Sequence, residues 1–167
     1  RIRVILAPPT SFRYAMFSLS DVTTKNNNVV CGDIWANSNV TVYQNNSVKA
    51  GDSAGCPSGA IGSGNITAAM GWVTLEGGSS VEGDIWTGGY DSSSKSVIVS
   101  NRATVGGAVK ASSSTPGCSD DPGHSRYAVG NDGTISGSVT TWGSISGSGS
   151  SGTHSSLTCS AAAGSEQ

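Results

Sequence analysis

The chain has few charges and few aromatic rings: 12% of its residues are Asp, Glu, Lys or Arg, and 6% are Phe, Trp or Tyr. Its net charge is −2 and its basic residues form no stripe, which argues against a nucleic-acid partner. No segment approaches the roughly 20 apolar residues of a membrane helix. Histidine occurs twice, at His124 and His154, each in Gly/Ser-rich surroundings without a spaced partner, so no metal site is expected. Ser is abundant, but no Gly-x-Ser-x-Gly elbow stands between a strand and a helix. Glycine-rich runs such as Gly62-Ser-Gly64 precede no helix, so they do not read as phosphate loops. No catalytic residue and no cofactor is predicted. The first residue is Arg1, and Arg1-Ile-Arg-Val-Ile-Leu-Ala7 lacks a signal-peptide layout, so a processed or excised fragment is expected.

With 24 Gly and many Ser, the composition alone suggests a disordered linker. Periodic Val and Ile argue otherwise. A nine-residue pattern recurs as Val22-TTKNNNV-Val30, Val40-TVYQNNS-Val48, Val73-TLEGGSS-Val81, Val97-IVSNRAT-Val105 and Tyr127-AVGNDGT-Ile135. Each copy opens on alternating apolar residues, passes through Asn, Gly and Ser, and closes on Val or Ile. An x-Gly-x-(Ile/Val) step follows, as in Val30-Cys-Gly32-Asp-Ile34 and Val81-Glu-Gly83-Asp-Ile85. The second copy breaks off after Lys49 and resumes at Gly64-Asn-Ile66. Val22 to Val40 spans 18 residues, as does Tyr127 to Ile145, which marks a fading sixth copy; the intervening spacings of 33, 24 and 30 contain insertions.

A short unit stacked on itself is the sequence mark of a solenoid. Alternation such as Val40-Thr-Val42 is the period of strands, and Asn, Gly and Ser supply the corners. The predicted fold is all-β: a single-domain β-helix of about five or six rungs, each bringing about four or five inward apolar side chains worth roughly 1.5–3 kcal/mol apiece. The spacing of 8, 4 and 6 between Val22, Val30, Ile34 and Val40 departs from the 6, 6 and 6 of a left-handed hexapeptide coil. Residues 1–20 read as an N-terminal cap or lead-in in which Phe12, Tyr14 and Phe17 fold across the first rung. Residues 21–159 read as the β-helix and residues 160–167 as a flexible tail.

Four cysteines match neither a Cys-x-x-Cys pair nor a zinc spacing. Cys31 follows the closing Val30, and the same slot one rung on is Lys49, where the insertion carrying Cys56 leaves the coil. A Cys31–Cys56 bridge is therefore expected. Cys118 lies in the insertion after Ala111, read as leaving on the same side of the coil. Cys159 follows Ile145 in the corresponding part of the sixth turn, which pairs it with Cys118. Two disulfides imply an oxidising, extracellular or cell-surface location.

A strip of side chains is the candidate ligand site. Asp33 and Trp35 flank inward Ile34, Asp84 and Trp86 flank inward Ile85, and Asn65 and Thr67 occupy the rung between. Strand alternation is expected to point these six outward together. Flat indoles beside hydrogen-bonding groups suit sugar rings. Carboxylates two rungs apart, about 9.6 Å, also lie near the separation of an inverting glycosidase pair. A purely structural reading, with Gly-Asp opening a corner and Trp covering a loop, competes with both. Ice binding is disfavoured, because the outward Thr23, Thr41 and Thr74 are followed by Ile98 and Ala128.

The run Phe12-Arg-Tyr-Ala-Met-Phe-Ser-Leu-Ser-Asp21-Val-Thr, with Gly32-Asp-Ile-Trp-Ala-Asn37-Ser-Asn-Val-Thr-Val42, resembles bacterial cell-surface proteins of the pilus-assembly type. In those, a prepilin-like membrane segment precedes such repeats. The repeats also resemble the β-helix core of bactofilins, which polymerise end to end. The resemblance covers residues 12–142 and carries no catalytic residues. It implies a right-handed β-helix and an extracytoplasmic structural or assembly protein, pilus-associated or self-associating through its terminal rungs. Membrane attachment is implied only through a segment upstream of Arg1. Bactofilins are cytoplasmic and lack long cysteine-bearing insertions, so their fold is carried over and their location is not. A carbohydrate-binding module with a surface glycan as partner is the alternative, and a glycoside-processing enzyme ranks third.

Peptide mapping without reductant is expected to recover Cys118 linked to Cys159. Recovery of both as free thiols, or a Cys56–Cys118 peptide, would refute the pairing.

Overall fold

The computed structural model describes residues 14–111 and 127–156. These form a parallel β-helix of three sheets. Sheet A holds β1 (Tyr14–Ser18), β4 (Asp33–Ala36), β7 (Ile66–Ala68), β10 (Ile85–Thr87), β13 (Val109–Ala111), β16 (Val139–Thr141) and β19 (His154–Ser156). Sheet B holds β2 (Val22–Thr24), β5 (Val40–Val42), β8 (Val73–Leu75), β11 (Lys95–Val99), β14 (Ala128–Asn131) and β17 (Ile145–Ser146). Sheet C holds β3 (Val29–Cys31), β6 (Ser47–Lys49), β9 (Ser80–Val81), β12 (Thr104–Val105), β15 (Thr134–Ile135) and β18 (Ser150–Ser151). Over the described residues the chain visits A, B and C in turn, making six full coils and the first strand of a seventh.

The periodic apolar residues stack into the core. Sheet A contributes Ile34, Ile66, Ile85, Val109 and Val139; sheet B contributes Val40, Val73, Val97 and Val129; sheet C contributes Val48, Val81, Val105 and Ile135. All are essentially inaccessible to solvent. A second inward column of sheet A is kept small by Ala36, Ala68 and Ala111, with Thr87 and Thr141 among them.

The corner between sheets B and C explains the Asn-rich stretches. In four successive rungs two consecutive residues adopt the left-handed backbone: Asn26–Asn27, Gln44–Asn45, Gly77–Gly78 and Asn101–Arg102, with φ between 51° and 74°. Asparagine and glycine tolerate this region best, which is why they fill most of these positions. The backbone bonds across the rungs here too, for example Asn27 N–H to the Gln44 carbonyl (3.0 Å) and Asn45 N–H to that of Gly77 (2.9 Å).

Three expectations are corrected. The fifth repeat is in register at Val129, not Tyr127, because Val129 pairs with both Val97 and Ile145. Its corner is two residues shorter: Val129 to Ile135 spans 6 residues where Val97 to Val105 spans 8. Asn131 turns inward to compensate, accepting from Gly133 N–H (3.0 Å) and donating to the Ser150 carbonyl (2.9 Å). Second, Tyr14 and Phe17 do not lie across the first rung; Tyr14–Ser18 is itself a strand of sheet A, paired with β4. Phe12 lies outside the described residues. Third, the two long insertions leave from different corners. Residues 50–65 follow a sheet C strand, whereas the segment after Ala111 follows a sheet A strand. Cys118 and Cys159 lie outside the described residues.

The buried Thr87 hydroxyl has no partner among the described residues, and its cost falls on the folded state. Thr87→Val keeps the shape and removes that hydroxyl. Chemical denaturation is expected to show a gain of about 1 kcal/mol; a loss of similar size would mean that the hydroxyl is satisfied in solution.

Candidate functional site

The six residues of the expected strip do come into one place. Trp35, Thr67 and Trp86 occupy one outward column of sheet A, paired in register across β4, β7 and β10. Asp33, Asn65 and Asp84 precede the inward Ile34, Ile66 and Ile85. Asp33, Asn65 and Asp84 also bond to the backbone.

The three acidic and amide side chains form a ladder along the corner between sheets C and A. Asp33 Oδ1 accepts the backbone N–H groups of Ser63 and Asn65, both at 2.9 Å. Asn65 Oδ1 accepts that of Asp84 (2.8 Å), and Asp84 Oδ1 accepts that of Ala108 (2.7 Å). Each side chain thus satisfies an amide one rung further on, where the backbone turns and strand pairing lapses. The glycines before two of these amides follow from this. A Cβ on Gly107 would collide with the Asp84 carboxylate, and one on Gly83 with the Asn65 carboxamide. A second ladder runs along the corner before sheet B, where Asp21 Oδ1 accepts from Asn39 N–H (2.9 Å) and Asn39 Oδ1 from Trp72 N–H (3.3 Å). The Asn39 contact holds the Asp21 carboxyl below its ordinary pKa.

Asp33 is therefore not outward and free. It is buried beneath the insertion 50–65. Paired-carboxylate hydrolysis needs one group free to donate a proton and another to attack or activate water. Here the inner oxygens of both aspartates are engaged by backbone.

The indoles have a neighbour that sequence reading missed. Phe17 lies in the same column, opposite Trp35, and their rings stack at 4.8 Å with planes 9° apart. That spacing matches one strand separation. One face of Trp35 is consequently covered by Phe17, which is itself 59% exposed. The signal was present in the sequence: Met16-Phe17-Ser18 stands before Val22 as Ile34-Trp35-Ala36 stands before Val40.

Cys31 and Cys56 are bonded, with S–S 2.08 Å and Cα atoms 5.6 Å apart. Cys31 sits opposite Lys49 in register, as expected. The bridge is one of several ties on the insertion. Glu82, one rung further on, accepts from the Ala50 N–H (2.9 Å) and from the Ser53 hydroxyl. Lys49 Nζ donates to the Ala54 carbonyl (2.9 Å). The Ser53 hydroxyl, then the Ala50 amide and the Lys49 charge, hold the Glu82 carboxyl below its ordinary pKa.

His154 stands in β19 at the inward register position of Val139, yet is exposed, with Nε2 against the Ser151 hydroxyl. His124 lies outside the described residues. Among the described residues no group of His, Cys, Asp and Glu is arranged to hold a metal, and no helix is long and apolar enough to cross a membrane.

Comparison with protein-family models, curated proteins and solved structures found no match.

A depressed carboxylate pKa stabilises the bound form above the ordinary glutamate value and ceases to do so as pH falls through the depressed value. Hydrogen exchange at the Ala50 amide is therefore expected to lose protection on acidification over that window, and Glu82→Gln to lower protection at neutral pH and flatten the profile. An unchanged acid profile in the Gln variant would show that Glu82 does not anchor the insertion.

Proposed function

We propose that this protein is an extracytoplasmic structural or assembly component of the bacterial cell surface, self-associating through its terminal rungs. The carrying observation is the parallel pairing of strands from coil to coil, which among the described residues leaves the strands at each end paired on one side only. Among the described residues β1 pairs only with β4, and β19 only with β16. Unpaired strand edges favour further strand pairing. The use of polar side chains supports the same reading, since Asp33, Asn65 and Asp84 each bond to the backbone of a corner. The Cys31–Cys56 bridge supports an oxidising compartment. The resemblance of residues 12–142 to pilus-assembly-type surface proteins supports the bacterial surface and an anchor supplied upstream.

Association by two like ends closes as a pair, whereas head-to-tail association propagates into filaments. Light scattering and negative-stain microscopy over a concentration series are expected to show growth in particle mass with concentration. A strict monomer at the highest concentration would overturn the self-association reading.

A further inference from the structure

The corner between sheets B and C is built from a repeated position, and one rung breaks the repeat. Asn26, Gln44, Gly77 and Asn101 occupy one column of left-handed residues, and Asn27, Asn45, Gly78 and Arg102 the next. In the other three rungs both positions carry long polar side chains. Gly77–Gly78 carries none. Conformation does not demand this, because Asn26 at φ 68° and Gln44 at φ 57° adopt the backbone that Gly77 adopts at φ 64°. The effect at Gly77 is a notch one rung deep, while the Asn45 carboxamide takes the space beside Gly78.

The notch is the floor of a groove of about 400 Å³ lined by Lys25, Tyr43, Gln44, Glu76, Gly77 and Asn101. Several of its polar groups are uncommitted. The amide N–H of Gly77 meets no acceptor among the described residues, since the backbone bonds of this corner run through Asn45 and Gly78 instead. The Glu76 carboxylate likewise has no partner among them. Tyr43 presents a ring wall, with Lys25 Nζ 5.8 Å from its centroid. These features contrast with the Trp35 strip, whose carboxylates are bonded to backbone and whose first indole is capped by Phe17.

We propose that this notch is a binding site for a glycan containing N-acetylated amino sugars. An acetamido group offers one acceptor and one donor, matching the free Gly77 N–H and the Glu76 carboxylate on adjoining residues. A pyranose face packs against Tyr43, and the Gln44 and Asn101 carboxamides meet ring hydroxyls at either wall. Lys25 closes the end of the groove as a donor. An open, polar groove of this size holds one or two sugar residues of a longer chain rather than enclosing a small molecule. The proposal goes beyond the assembly reading and does not depend on it.

Chitotetraose is the probe, with cellotetraose, which lacks the acetamido groups, as the comparison. Titration followed by amide NMR is expected to shift the Gly77 signal with chitotetraose and to show cellotetraose binding about tenfold more weakly or not at all. Gly77→Asn fills the notch with a residue type that the same column already holds, and is expected to weaken chitotetraose binding at least about tenfold while circular dichroism stays unchanged. Should that variant unfold, Glu76→Gln and Tyr43→Ala, both at the groove surface, replace it with the same expected loss. The proposal is overturned if the wild-type protein does not bind chitotetraose or binds both sugars alike. It is overturned equally if the notch variants bind normally, or if the loss occurs instead on changing Trp35 and Trp86 to Ala.

Discussion

Strand pairing between successive coils, at one strand spacing of about 4.8 Å, governs the rest of this molecule. Once Val22 lies against Val40 and Ile34 against Ile66, each side chain has a fixed neighbour above and below. Inward positions must then hold residues of matched size, and the core becomes columns of Val and Ile beside a column of Ala and Thr. Outward positions acquire the same regularity. Phe17 stacks on Trp35 because the strand spacing brings two rings to stacking distance, and the Ser80 hydroxyl reaches that of Ser47 at 2.9 Å for the same reason.

Corners are where this pairing is hardest to sustain, because backbone groups leave the strand ladder there. Different solutions appear at different corners. Between sheets C and A, Asp33, Asn65 and Asp84 lend a side-chain oxygen to the next rung's amide, with glycine leaving room for it. Between sheets B and C, the second residue of three left-handed pairs carries one backbone bond to the next rung, from Asn27, Asn45 and Gly78. Polar side chains thereby take part in the architecture of the corners. The exception is the Gly77–Gly78 step, where the backbone pattern is maintained but the side chains are withdrawn.

Much of the coil was legible in the sequence because its signal is periodic. The columns of Val22, Val40, Val73 and Val97 and the resumption at Ile66 stand where spacing put them, and Ile145 joins the same column through Val129 rather than through the 18-residue interval from Tyr127. The pairing of Cys31 with Cys56 followed from the register of Cys31 with Lys49. Misreadings arose where two registers were equally apolar. Tyr127 was taken for Val129 because a shortened corner disguised the shift, and Phe17 was assigned to a cap because a single incomplete repeat precedes Asp21.

What the sequence by itself determined is the parallel β-helix, since a short apolar period that alternates within each unit has few other ways to be buried. It also determined the columns of the first four repeats, where the corner length is constant. Only the tertiary structure decided what each polar side chain does. Asp33 was legible as a residue flanking Ile34, but its burial depends on an insertion folding back over it, a contact between residues 30 and 32 positions apart. The notch at Gly77 was equally invisible, because an empty space is defined by the rungs on either side of it and not by the glycines themselves.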